Sequence, residues 1–170
     1  MKQLRTWGFT EDSWKGQRGE YWVLAQGLIL LVFVLLPQWQ PAAWQSWPTA
    51  VVYMLDGVAI AFAGLATVLL GKGLLDLGAN LTPLPYPRAD AQLVQTGIYG
   101  WVRHSLYSGL IFGTAAFSLW TRSLPHLLMA VILFIVLDIK ARKEEAWLLE
   151  RFPAYADYRQ RVSKFIPGLY

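Results

Sequence analysis

The chain has no cysteine and only two histidines among its 170 residues. A disulfide framework, a thiolate metal site and a cysteine nucleophile are therefore excluded, and the compartment has to be read from topology instead. Charge is scarce too: Asp, Glu, Lys and Arg together make up 15% of the residues, and the stretch 37–49 carries none. There is no Rossmann fingerprint, Walker lysine, zinc-ligand spacing or G-x-S-x-G elbow, and Gly71-x-Gly73 falls at the end of an apolar run with no strand before it. Basic residues interleaved with aromatics on one soluble face are also absent, which argues against a nucleic-acid partner.

What the sequence has in quantity is apolar surface, with 55% hydrophobic residues, 15% aromatic residues and a mean hydropathy of +0.35. A soluble domain of this length rarely looks like this. Four apolar stretches stand out, at roughly 21–36, 50–70, 106–120 and 124–137. Only the second has the ~20-residue length of a hydrocarbon core. The others are short, but almost no polar helix face separates them, and their ends run into interfacial Trp, Tyr, Lys and Arg. The expected fold is all-α: a polytopic membrane bundle of about four transmembrane helices, forming one domain over 1–170, with N-terminal spans in 1–76 and the ligand-binding region in 77–170. A charged run precedes the first stretch and no small-x-small cleavage site follows it, so a cleaved signal peptide is not expected.

Basic residues orient the chain, because they accumulate on the cytoplasmic side. Of the fifteen Lys and Arg residues, all but Arg122 fall before the first stretch (Lys2, Arg5, Lys15, Arg18), between the second and third (Lys72, Arg88, Arg103), or after the fourth. Both termini and the connection containing Arg103 are therefore expected on the cytoplasmic face. The pI of about 9.4 reflects this distribution and an attraction to anionic head groups. Among the small residues, Gly57, Gly64 and Gly71 recur every seven positions and Gly109-x-x-x-Gly113 forms a small-residue pair, both suited to close helix approach. Gly109, one turn above Arg103-His104, also leaves room for a ligand. Asp56, alone in an apolar span, reads as an interfacial or hydrogen-bonded structural carboxylate.

The polar connection after the second stretch is long enough to be functional. Pro83, Pro85 and Pro87 stiffen its first part into an arm able to cover a ligand, and Thr96-Gly97 reads as a turn before a short helix. The fourth stretch has no stop signal before Pro153, so 125–152 is expected as one helix of about 40 Å. Arg142, Glu145 and Leu149 then share one face, and Glu144 lies about 100° away beside Lys140 and Leu148. Taken alone this is a solvated charged helix with pairs such as Lys140 to Glu144. Together with Arg103-His104, which arrives at the same rim on the other arm of a hairpin, it is a convergence of cation, imidazole, phenol and carboxylates beside lipid.

The pattern Gly97-x-Tyr99-x-x-x-Arg103-His104-x-x-Tyr107-x-Gly109, then Arg142-x-Glu144-Glu145-x-x-Leu148-x-x-x-Phe152, Tyr155-x-x-Tyr158 and Ile166-Pro167 resembles the isoprenylcysteine carboxyl methyltransferase and phospholipid methyltransferase superfamily. The likeness covers about 77–170. Two departures stand out: Ser105 where the family usually has proline, and Pro153 in place of the usual Phe-Gly-x-x-Tyr spacing. The resemblance implies an integral-membrane enzyme that uses S-adenosylmethionine at the cytoplasmic surface, with a lipophilic or lipidated acceptor entering from the bilayer. It implies that His104 and Tyr107 line the cofactor pocket, that Glu144 and Glu145 take the methionine amino group, and that Tyr99, Gly97 and Gly109 shape the wall. Arg103 would hold the cofactor carboxylate or orient the acceptor, and Arg103 and Glu144 would be the catalytic pair. Two alternatives remain beside it: a membrane reductase of the sterol-reductase type using a nicotinamide dinucleotide, and a non-catalytic membrane scaffold. The acidic pair favours the methyltransferase over the reductase, because a dinucleotide's phosphates want cations.

Overall fold

The computed structural model describes residues 16, 18–86 and 91–170. Lys2, Arg5, Lys15, Pro87 and Arg88 lie outside the described residues. Among the described residues four substantial helices carry the fold: α1 Glu20–Leu35, α3 Thr49–Leu77, α4 Ser105–Thr121 and α5 Leu124–Arg151, with the short α2 Ala42–Gln45 and α6 Tyr155–Arg161 between and after them. Among the described residues there is no strand, only an isolated parallel bridge between Val102 and Ser163.

Prolines and glycines set the boundaries. Pro48 precedes α3, whose 29 residues contain no proline, and the helix stops at Gly78, a residue with φ of 51°. Pro125 lies in the first turn of α5, where its missing N–H costs nothing. The helix then runs 28 residues to Arg151, just before the proline at 153. Among the described residues two helices, Thr49–Asn80 and Leu124–Arg151, are long and apolar enough to cross a membrane, and Glu20–Leu35 is a shorter apolar helix.

The four helices run up and down. At one end the α1–α3 connection is tied to the α4–α5 turn: Leu124 N–H donates to the Trp39 carbonyl at 3.0 Å and Gln40 Nε2 to the Thr121 carbonyl at 2.8 Å. Arg122, in the left-handed region at φ 50°, places its guanidinium 2.7 Å from Asp56 Oδ1. The lone carboxylate of the second span is thus a structural partner of the one arginine that departs from the basic distribution.

The closest helix packing is between α3 and α4. A Cβ on Gly109 would lie 2.5 Å from Leu70 Cγ and 3.2 Å from the Leu70 backbone nitrogen, so only glycine permits this approach. Ser105, fully buried, donates its hydroxyl to the Leu69 carbonyl at 2.8 Å, a tie that proline could not make. The heptad glycines behave differently from expectation: a Cβ at Gly57, Gly64 or Gly71 would meet nothing within 4 Å. The buried stripe of α3 is Ala59, Ala66, Leu69 and Gly73, and the heptad lies off it. Outward, large apolar side chains are exposed along the helices, among them Leu24, Leu28 and Val34 on α1, Ile60 and Leu75 on α3, and Leu128 and Ile135 on α5. Such a continuous apolar exterior needs a non-aqueous surround.

Candidate active site

The site forms at the end opposite the Asp56–Arg122 pair. It begins with Asp76 near the end of α3, which accepts the Ile98 N–H at 2.8 Å and the Lys72 ammonium at 2.9 Å. Gly97 makes this possible: its φ is 62°, and a Cβ there would sit 2.2 Å from Asp76 Oδ2. The next element, the 3₁₀ turn Gly97–Gly100, aims Tyr99 inward, its hydroxyl on the Gly73 carbonyl at 3.2 Å. The carbonyl of Tyr99 in turn accepts the Tyr158 hydroxyl of α6 at 2.6 Å. The C-terminal segment then runs beside the next residues, with Arg103 N–H on the Ser163 carbonyl at 2.9 Å and His104 N–H on the Lys164 carbonyl at 3.2 Å.

Glu145 is the hub of the charged cluster. Its Oε1 lies 3.0 Å from Arg103 Nη2, 3.1 Å from Arg103 Nε and 3.0 Å from His104 Nε2, and all three side chains are buried. Arg103 also donates Nη1 to the carbonyls of Arg159 and Val162. Most of the Arg103 donors are therefore engaged in tying α5 and the C-terminal segment together. His104 stacks on Tyr107 with ring planes 5° apart, and the Tyr107 hydroxyl donates to Glu144 Oε2 at 2.8 Å. Glu144 is more open than its neighbour, with 26% of its side chain exposed against 7% for Glu145.

The ion pair separates two cavities. The first has a volume of about 130 Å³ and is lined by Tyr99, Arg103, His104, Tyr107, Glu144, Leu148, Phe152, Tyr155 and Tyr158, with Thr82, Leu84, Pro85 and Val94 from the connection. The second, about 590 Å³, is lined by Glu145 and the cations Arg103, Arg142, Arg159, Arg161 and Lys164. Five of the residues expected from sequence thus share the first cavity. Glu145 lines only the second, and its position on a different face from Glu144 is the one that the helical spacing of α5 dictates. Gly97 and Gly109 line neither: one is cleared for Asp76 and the other for Leu70.

The proline arm does cover the first cavity, but through a residue that helical spacing alone places elsewhere. Lys140, 2% exposed, donates to Gln26 Oε1 at 2.7 Å and to the Pro83 carbonyl at 3.3 Å, and its ammonium sits 4.8 Å from the Tyr107 ring centre. It is a buried tie between α1, the arm and α5, not half of a solvated pair with Glu144. Tyr86 packs edge-on against Trp147, 5.4 Å between ring centres. Asp138 is likewise an anchor, accepting Arg142 Nε at 2.7 Å, the Tyr170 hydroxyl at 2.9 Å and Lys164.

Tyr155 and Tyr158, which in the sequence are only letters of a motif, complete the wall. Burial, with the charges of neighbouring carboxylates adding to it in Tyr155, pushes both phenols well above the usual tyrosine range, so both remain O–H donors. The Tyr155 hydroxyl is, among the described residues, the buried side-chain polar atom that has no hydrogen-bond partner.

A helical membrane protein with a polar, aromatic-walled cavity at one rim is a class with a known counterpart. The phospholipid methyltransferase family model matches residues 53–155, more than half of the chain, and the chain belongs to that family. The family consists of S-adenosylmethionine-dependent methyltransferases of membranes, so the protein is a membrane-associated enzyme that transfers methyl groups, and the reductase and scaffold readings are set aside. No individual curated protein matches it.

Proposed function

We propose that the protein transfers a methyl group from S-adenosylmethionine to a lipophilic acceptor partitioned in the bilayer, of the isoprenylcysteine or phospholipid type, from the first cavity. The observation that carries this reading is Glu144: a partly open carboxylate in an aromatic-walled cavity beside an apolar exterior, with Oε2 held by Tyr107. The residues present fit the cofactor, since a methionine ammonium wants a carboxylate, a sulfonium is stabilised by aromatic faces, and an unpartnered buried phenol wants an acceptor.

Bound S-adenosylmethionine would supply an electrophilic methyl group on sulfur. The protein's part is to bind, orient and exclude water. Glu144 would hold the ammonium, with Tyr107 fixing the carboxylate through Oε2. Arg103 and His104, locked by Glu145, form a wall that does not move during the reaction, with Arg103 presenting its remaining N–H to an anionic or polar oxygen. Tyr99, Tyr107 and Tyr158 line the aromatic faces. The arm at Leu84 and Pro85, held by Lys140, closes the cavity against water, while Leu77, Leu106 and Leu148 leave an apolar side for the acceptor. Methyl transfer needs little covalent help, so placing a nucleophilic atom in line at about 3 Å in a dry site dominates the rate.

The same reading has four spans, α1, α3, α4 and α5, with both termini and the cavity on the cytoplasmic side and 1–170 acting as one domain whose spans before residue 77 serve as scaffold. Titration of the purified protein with S-adenosylmethionine and, separately, with reduced nicotinamide dinucleotide phosphate tests the proposal. Saturable binding of the first alone is expected; binding of the second alone would overturn it.

A further inference from the structure

We propose that Tyr155 is a cofactor-binding residue whose hydroxyl donates a hydrogen bond to the carboxylate of the methionine moiety, beside Arg103. This rests on the methyltransferase reading and deepens it.

Three observations converge. First, Tyr155 is 1% exposed, lines the first cavity, and its hydroxyl has no partner in the protein. A buried hydroxyl left unmade costs free energy, and such a group in a cavity wall is explained by the ligand that completes it. Second, the phenol stays protonated beside two glutamates, so it needs an acceptor, and a carboxylate is the strongest acceptor that the cofactor offers. Third, Arg103 cannot hold that carboxylate alone. Its Nε and Nη2 are on Glu145 and its Nη1 is shared between two backbone carbonyls, so only one N–H, the second on Nη2, is left over. A second donor is needed, and Tyr155 is the one without other work. The arrangement is also consistent with the covalent structure of methionine, in which ammonium and carboxylate share one carbon. The groups that receive them must be neighbours, and Glu144 is close enough for its charge to act on the Tyr155 phenol.

The test is Tyr155→Phe in the full-length purified protein, which keeps the ring and removes only the oxygen. Three quantities are measured: affinity for S-adenosylmethionine, affinity for its decarboxylated analogue, and the melting temperature without ligand. The expected result is roughly tenfold weaker binding of S-adenosylmethionine, unchanged binding of the decarboxylated analogue, and a melting temperature equal to or above that of wild type, because an unsatisfied hydroxyl has been removed. Unchanged affinity for S-adenosylmethionine would overturn the proposal, as would an equal loss for both ligands, which would move the hydroxyl away from the carboxylate. A lowered melting temperature would assign the hydroxyl to the fold and overturn it as well. Wild-type protein that binds neither ligand would sink the methyltransferase reading itself, an outcome separate from these.

Discussion

The two ends of the helical bundle are built from the same elements but use charge differently. At the end where α4 turns into α5, one partly exposed ion pair, Asp56 with Arg122, and a few backbone bonds close the structure. At the other end Glu145 gathers Arg103 and His104, Asp138 gathers Arg142, Lys164 and Tyr170, and Lys140 is buried without a carboxylate in hydrogen-bond contact. Closing a helical hairpin takes little polar machinery, as the first end demonstrates. The density of buried charge at the second exceeds what closure requires, and its partial imbalance, an open Glu144 and an unpartnered Tyr155, is where the proposed ligand would bind.

If that contrast is right, substitutions at the two ends should differ in kind as well as in size. The largest effect is expected from Glu145→Ala. It leaves a buried guanidinium and a buried imidazole without their acceptor, so unfolding free energy should fall by about 3 kcal/mol and cofactor binding should be lost with it. Thermal denaturation of the purified variant checks this, and wild-type stability would mean that the ion pair is not the tie described.

Next is Glu144→Gln, on the open side of the same helix. Stability should change little, while S-adenosylmethionine should bind at least tenfold more weakly, consistent with losing a charge-assisted hydrogen bond of about 1.5 to 3 kcal/mol. Glu150→Gln, on an exposed position of α5, is the control and should bind normally. Arg159 is unsuitable as a control because its Nε lies 3.8 Å from Glu145 and its carbonyl accepts Arg103.

A smaller effect is expected from Asp56→Asn at the far end. With about a quarter of each side chain exposed, the pair should contribute no more than about 1 kcal/mol. Cofactor affinity measured by titration should be unchanged; a matching loss of binding would dissolve the distinction between the two ends. Reporter fusions make the comparison geometric, with no energetic effect at all. Fusions at both termini should report cytoplasm and one after Trp44 the opposite side, and an odd number of crossings would separate the site from the face assigned to it.

Much of this was legible in the sequence because it follows from periodicity and punctuation. The long helix α5 fell between Pro125 and Pro153 as the spacing predicts, whereas α3 runs on past the expected 50–70 stretch to Leu77. The separation of Glu144 from Glu145 followed from 100° per residue, and the meeting of Arg103-His104 with them followed from a hairpin of two antiparallel arms. What stayed hidden depends on which partner arrives from a distance. Lys140 reads as half of an i,i+4 pair because local spacing says nothing of Gln26, more than a hundred positions away. Gly109 beside an Arg-His pair reads as ligand space until Leu70 of another helix occupies it. The heptad of Gly57, Gly64 and Gly71 is regular but off the packed stripe, which only the position of α4 decides. The Tyr155 phenol carries no signal in composition or period; its meaning comes from a missing partner.

The central claim, that the cavity around Glu144 moves methyl groups onto molecules dissolved in the bilayer, is tested most directly by transfer. Membranes containing the protein are incubated with methyl-labelled S-adenosylmethionine and a native lipid extract, and the label is followed into the organic phase. The account predicts organic-phase label with wild-type protein and its loss with Glu144→Gln. Label appearing only in water-soluble products, or organic label undiminished by Glu144→Gln, would contradict it.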